Sequence, residues 1–104
     1  MNNQTALVNG IKWTCENPDT GQKWTATLGP ATLAALHYTG HDGAPDIWIV
    51  RIALRGEEDE LCGPVIRTVG EAMVAAEPWA RETLRRWRDL GALAGEALSA
   101  MGEP

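Results

Sequence analysis

Two histidines, His37 and His41, stand four residues apart, and Asp42 follows the second. On a helix, this spacing places two imidazoles on one face, which is an arrangement that binds zinc. Gly40 separates the histidines, turn residues follow them, and no glutamate completes an H-E-x-x-H motif. These features indicate surface or loop histidines, and we expect no metal site.

Candidates for nucleophilic catalysis are few. Cys62 precedes a Gly-Pro step, but nothing in the sequence places a histidine beside it or indicates an activated thiolate. The single serine, Ser99, lies near the C-terminus without a G-x-S-x-G motif. The glycines are scattered at turns and form no phosphate-binding or dinucleotide fingerprint. We therefore expect no catalytic residues, no cofactor and no enzymatic activity.

Three arginines, Arg81, Arg85 and Arg88, follow the i, i+4, i+7 spacing of one helix face. A helix that contacts phosphates could carry such a stripe. However, Glu77 stands four residues before Arg81, which is the favourable order for an ion pair within a helix. A solvated, salt-bridged face is the simpler interpretation, and a nucleic-acid-binding stripe is the alternative.

The densest charge in the chain is a run of four acids, Glu57, Glu58, Asp59 and Glu60. Residues 1–56 are neutral, so the whole formal charge of −5 lies in residues 57–104, where ten acids face five arginines. Neighbouring carboxylates repel one another and stay solvated, which predicts a loop tip. The run is either a solvated turn or a surface that docks onto a basic partner.

The elements that position these residues follow from periodicity. Apolar and polar residues alternate over 11–16 and again over 23–28, which is typical of half-buried strands. Turn residues lie between them, so we predict a β-hairpin. A four-residue loop would place Trp13 opposite Trp24 on one face.

Further strands are expected downstream. Residues 31–39 favour a strand, with a helical turn as the alternative. Residues 47–54 give the strongest strand signal, apolar on both sides, which is typical of a central strand. Residues 61–67 contain Gly-Pro and suit an edge strand or a bulge.

A helix should begin after Thr68, because Thr68 and Glu71 have the spacing of a capping box. Apolar residues spaced three or four positions apart predict one apolar stripe that docks on the sheet: Met73, Ala76, Ala80, Leu84 and Trp87. Pro78 should kink or restart this helix. Residues 92–101 could form a short final helix.

Length and composition indicate one globular domain. The chain has 104 residues, 44% hydrophobic and 22% charged, which suits a self-sufficient core and excludes disorder or a coiled coil. Strands come first and helices last. We predict a single α+β domain over 1–104: an antiparallel sheet of about four to five strands, packed against one kinked C-terminal helix plus a short final helix. Residues 1–5 and 102–104 should be frayed, and the five tryptophans should pack in the core.

The N-terminal residues show neither the basic region nor the apolar run of a signal peptide, and no segment reaches the ~18 apolar residues of a membrane span. The two cysteines, Cys15 and Cys62, form no C-x-x-C pair. We therefore expect a cytoplasmic protein without a disulfide framework.

Some segments suggest a family resemblance. They are Trp13, Trp24-x-Ala26, Leu36-x-Tyr38, Trp48-x-Val50, the sequence IRTVGEA at 66–72 and A-A-E-x-W at 75–79. This pattern, over residues 11–88, resembles the small strand-rich, single-helix proteins encoded by phages and prophages, although Pro78 and the C-terminal segment depart from it. The resemblance implies an accessory protein that acts by binding. Such acidic phage proteins include inhibitors of host defence, among them anti-CRISPR proteins, and some imitate nucleic acid with carboxylates.

The sequence thus predicts a small acidic binding protein of the phage-inhibitor type. Its partner would be a protein with a basic surface, such as a nucleic-acid-binding effector. The residues expected to contact that surface are Glu57, Glu58, Asp59 and Glu60. A membrane partner is not expected. The acidic net charge disfavours direct nucleic-acid binding. The alternative function is nucleic-acid binding through Arg81, Arg85 and Arg88.

Overall fold

The computed structural model describes residues 4–16, 22–40, 42–43, 45–61, 65–89 and 91–103. Its elements in chain order are the strands β1 (Thr5–Val8), β2 (Ile11–Cys15), β3 (Lys23–Leu28), β4 (Ala31–Tyr38), β5 (Ile47–Leu54) and β6 (Glu57–Glu60), then the helices α1 (Val69–Arg88) and α2 (Ala92–Ala100). The predicted α+β class and antiparallel sheet are confirmed. The sheet has six strands rather than four to five.

The six strands form a meander in which each strand pairs antiparallel with the next. Two connections are two-residue turns with positive φ at both positions: Asn9-Gly10 (φ 51° and 82°) and Arg55-Gly56 (φ 37° and 86°). Such turns match the natural twist of hairpin strands. The sequence prediction missed β1, although Asn-Gly is a strong hairpin signal.

The predicted hairpin over 11–28 is confirmed, but its register differs. Trp24 lies opposite Cys15 rather than opposite Trp13. The ladder continues to Glu16, whose N–H donates to the Lys23 carbonyl at 2.9 Å. The connection is therefore longer than the four residues assumed, and the pairing shifts by two positions, which leaves both tryptophans on the same face.

The core lies between one face of the sheet and the two helices. Trp13, Leu33 and Ile52 are completely buried on the sheet side. The whole predicted stripe of α1 is buried, together with Ala72 and Thr83. Helix α1 lies over β4 and β5, and α2 lies against α1 and β3. The tryptophans belong to this core, Trp13 and Trp87 as buried members and the other three as partly buried ones.

Pro78 does not restart the helix, since α1 is one element from Val69 to Arg88. Proline has no N–H and so leaves the carbonyl four residues earlier, that of Val74, without its helical donor. Pro78 and Val74 are both exposed, so water can take the place of that donor. The proline is tolerated because it lies on the solvent side.

Several residues expected to be frayed are held by backbone hydrogen bonds. Thr5 pairs with Thr14 in β1, and the carbonyl of Gln4 accepts from Cys15 N–H at 2.8 Å. At the other end, Glu103 N–H donates to the Leu98 carbonyl at 3.0 Å. Residues 1–3 and 104 lie outside the described residues.

The predicted cap of α1 is present: Thr68 Oγ1 accepts from Glu71 N–H at 3.1 Å. Thr68→Ala removes this acceptor and should lower the free energy of unfolding by about 1 kcal/mol. Urea denaturation followed by circular dichroism measures the loss. Thr68→Ser keeps the hydroxyl and should stay close to wild type; equal effects of the two substitutions would contradict a capping role.

Candidate functional site

The four consecutive acids form β6 at one edge of the sheet, and not a loop tip as the sequence predicted. We call this strand, Glu57–Glu60, the acidic edge strand. It pairs with β5 from Leu54↔Glu57 to Arg51↔Glu60, while no described strand pairs with its other side. The Arg55-Gly56 turn reverses the chain, and the β5 ladder holds the strand in place.

Strand geometry also reduces the repulsion that led us to expect a loop. Successive side chains point to opposite faces, so Glu58 and Glu60 share the face of Arg51, whereas Glu57 and Asp59 share the face of the helices. Neighbouring carboxylates therefore point away from each other. The acids are divided between two sides of one edge.

Two arginines contact the acidic edge strand. Arg51 Nε lies 3.1 Å from Glu60 Oε1, and this hydrogen bond raises the pKa of the Arg51 guanidinium above its ordinary value. Arg86 Nη2, from α1, lies 3.2 Å from Asp59 Oδ2. Both pairs are solvent-exposed and contribute little to stability. Within the described part of the chain, Glu57 and Glu58 form no ion pair.

Shallow depressions lie at and beside the strand. A depression of about 330 Å³ at the strand itself is lined by Arg51 and by Glu58, Asp59 and Glu60. On the helix side, a cleft of about 300 Å³ lies between Glu57, Arg55, Trp87 and the start of α2. The carboxylates thus line surfaces that a partner's side chains can reach from either face.

The arginine stripe takes part in contacts within the chain. Arg81 forms an ion pair with Glu77 and donates to the Met101 carbonyl at 2.8 Å. Arg85 Nε donates to Glu103 Oε1 at 3.0 Å. These two guanidinium groups hold the C-terminal segment against α1, which favours the salt-bridged interpretation.

The remaining members of the arginine group lie elsewhere. Arg88 lies at the end of α1, exposed and beside Gly95 of α2. Arg86 of α1 contacts Asp59 of β6. Of the three stripe arginines, Arg88 therefore has the fewest contacts within the described part of the chain.

The other candidates that the structure describes lie in separate places. His37 Nε2 lies 3.3 Å from Asp46 Oδ2, and its ring lies 5.2 Å from that of Trp48. Cys15 is buried and Ser99 is exposed on α2, while His41 and Cys62 lie outside the described residues. No group of three or more metal-ligating side chains occurs in the described ranges.

The described helices include none with the length and apolarity needed to cross a membrane. Comparison with known proteins finds no matching family model, curated protein or solved structure. The function is therefore argued from the chemistry of the site.

Glu103 makes the C-terminal contact dependent on pH. The hydrogen bond from Arg85 lowers the pKa of the Glu103 carboxyl, and burial opposes this effect. A lowered pKa in the folded state stabilises the protein above the ordinary carboxyl pKa, and the contribution disappears as the pH falls through the folded-state value.

Glu103→Gln should therefore lower the urea midpoint near neutral pH, and the difference from wild type should shrink on acidification. Glu96→Gln, an exposed glutamate of α2, is the control and should show no such difference. A gap between wild type and Glu103→Gln that is constant across the acidic range would contradict the ion pair as its cause.

Proposed function

We propose that the protein is an intracellular, non-enzymatic binding protein that docks its acidic edge strand onto a basic surface of a protein partner, one that itself binds nucleic acid. The observation that carries the proposal is the regular placement of four carboxylates on an exposed strand at the edge of the sheet.

The spacing of these charges supports a nucleic-acid-binding partner. A strand advances ~3.4 Å per residue, so the acidic edge strand carries one carboxylate per ~3.4 Å. Duplex DNA carries one phosphate per ~3.4 Å along each strand. A surface arranged for a phosphate backbone that contacts the edge of β6 therefore meets a similar linear charge density, whereas either face alone presents one carboxylate per ~6.8 Å.

The exposed ion pairs of the acidic edge strand can be exchanged for ion pairs with a partner protein. Arg51 and Arg86 already neutralise part of the strand, but both pairs are exposed and readily solvated. An incoming arginine can replace either one at small cost, because the displaced guanidinium regains water. Glu57 and Glu58, without ion pairs among the described residues, offer the first contacts for steered association.

The biological setting is proposed from the resemblance of residues 11–88 to small phage and prophage proteins. We infer a phage-type inhibitor of a host defence system, anti-CRISPR-like, that blocks a nucleic-acid-binding effector by occupying its basic surface. Direct binding of nucleic acid is disfavoured, because Arg81 and Arg85 already contact Glu77 and Glu103.

The test combines four neutral substitutions in β6: Glu57→Gln, Glu58→Gln, Asp59→Asn and Glu60→Gln. The partner is first captured from a lysate of the natural host and purified. We expect duplex DNA or RNA to displace it from the wild-type protein. We also expect the β6 variant to bind about tenfold more weakly, with a smaller salt dependence, because it removes four charges that attract a basic surface.

A matched control removes the same number of charges elsewhere, at four exposed acids of the helical side: Glu71→Gln, Glu82→Gln, Asp89→Asn and Glu96→Gln. This variant should bind like wild type if position matters more than net charge. Unchanged binding strength and salt dependence in the β6 variant would refute the proposal, as would a captured partner that nucleic acid does not displace.

A further inference from the structure

The sheet has a second face that no described helix covers. Trp13, Leu33 and Ile52 define the face buried under α1 and α2, and the alternate residues of each strand point the other way. We call this other side the open face. It includes Arg51, Glu58 and Glu60 from β5 and β6.

The open face carries an apolar patch on β4 and β5. Leu36 pairs with Ile49 and Tyr38 pairs with Ile47 across the two strands. Tyr38 is 43% exposed. Val65, 58% exposed, lines a depression together with Ile47 and Ile49. Contiguous apolar surface of this kind marks an interaction site more often than isolated exposed residues do.

Over the described residues of the β2–β6 ladders, the charges of the open face balance, although the protein as a whole carries −5. Two pairs form within the chain: Lys23 with Glu16 at 3.2 Å and Arg51 with Glu60 at 3.1 Å. Lys12 and Glu58 are the other two charged residues of these strands on this face, and neither has an ion pair among the described residues. Arg67, one residue beyond the Ile66 bridge to Trp48, is a further exposed cation at the margin of the face. A neutral face suits a neutral partner surface better than a strongly basic one.

Lys12 and Glu58 are placed symmetrically about β4. Lys12 belongs to β2 and Glu58 to β6, each two strands from β4. Glu58 lies in a row across the sheet that runs through Thr27↔Thr32, Thr32↔Ala53 and Ala53↔Glu58. Extending the β2–β3 register from Thr14↔Thr25 by two residues places Lys12 at the β2 end of the same row. A half-turn about β4 therefore exchanges their positions.

We propose that the open face binds a second copy of this chain, face to face, about a two-fold axis that runs along β4. Leu36 and Tyr38 lie on the axis strand, so each contacts the same residue of the second copy. Lys12 of each chain then faces Glu58 of the other. The interface is self-complementary, as a two-fold dimer requires, and two sheets packed face to face keep their strands nearly aligned.

The size of the open face is sufficient for a stable dimer. Six strands spaced about 4.8 Å apart span roughly 24 Å. The eight-residue strands β4 and β5 are about 27 Å long, and the other strands have four to six residues. That surface is of the same order as the ~800 Å² per partner of a standard interface. Glu57 and Asp59 point to the helix side, so the dimer leaves them accessible at both acidic edges.

Sedimentation equilibrium tests the assembly. We expect wild type to show twice the 11.3 kDa chain mass. Ile49→Lys places a charge in the apolar patch and should yield the monomer. The matched control is Val74→Lys, at a residue 56% exposed on α1, and it should remain dimeric. Circular dichroism checks that both variants fold.

Charge reversal tests the arrangement of the two copies. Lys12→Glu and Glu58→Lys should each raise the dissociation constant by about tenfold, because each creates two like-charge contacts. The double variant Lys12→Glu, Glu58→Lys should restore wild-type affinity, which a merely structural effect would not do. A monomeric wild type, a dimeric Ile49→Lys or a double variant without rescue would each overturn the proposal.

Discussion

Helix α1 lies across β4 and β5. This contact determines which face of the sheet is buried and which is the open face. Ala72, Ala76 and Ala80 are completely buried and bring the helix close to the sheet, while the larger Leu84 and Trp87 fill the space between the layers. Because the helix covers one face only, it divides the sheet into a buried side and an open side. An antiparallel sheet tolerates this division, since its side chains alternate between the two faces.

The same contact explains where the arginines of α1 go. The buried stripe fixes the rotation of the helix, and its other faces then turn toward particular neighbours. Arg86 reaches Asp59 of β6, while Arg81 and Arg85 reach the C-terminal segment. Guanidinium groups that look like a phosphate-binding stripe in the sequence therefore tie separate parts of the chain together. Each such pair is weak when exposed, and the one that reaches the acidic edge strand is Arg86 with Asp59.

The acidic edge strand and the open face meet along β6 but differ in character. One is a line of carboxylates at the rim, where charge steers a partner. The other is a neutral surface with an apolar centre, where burial supplies the attraction. A charged edge strand also discourages unwanted pairing of sheet edges between molecules. The rim and the face can therefore serve different partners through different side chains, except at Glu58 and Glu60, which belong to both surfaces.

Local patterns in the sequence determined the hairpin over 11–28, the strand over 31–38, the cap at Thr68 and the buried stripe of α1. These features depend on neighbours within a few residues, which the chain itself specifies. Strand β1 was missed because it is only four residues long, although the Asn-Gly turn marks it. The pairing shift of Trp24 was missed because hairpin register depends on where the loop begins.

Only the tertiary structure decided the form and environment of the acidic run. Read alone, four neighbouring carboxylates favour a solvated loop through mutual repulsion. In the folded chain, β5 supplies a hydrogen-bonding ladder, alternation separates the charges between two faces, and Arg86 approaches from 27 residues away. The contact from Arg86 has no local signature, whereas the β5–β6 hairpin is local and was missed because four neighbouring acids favour a loop. The residue types of the candidate site were therefore visible in the sequence, whereas its shape came from the strand and the helix that pack beside it.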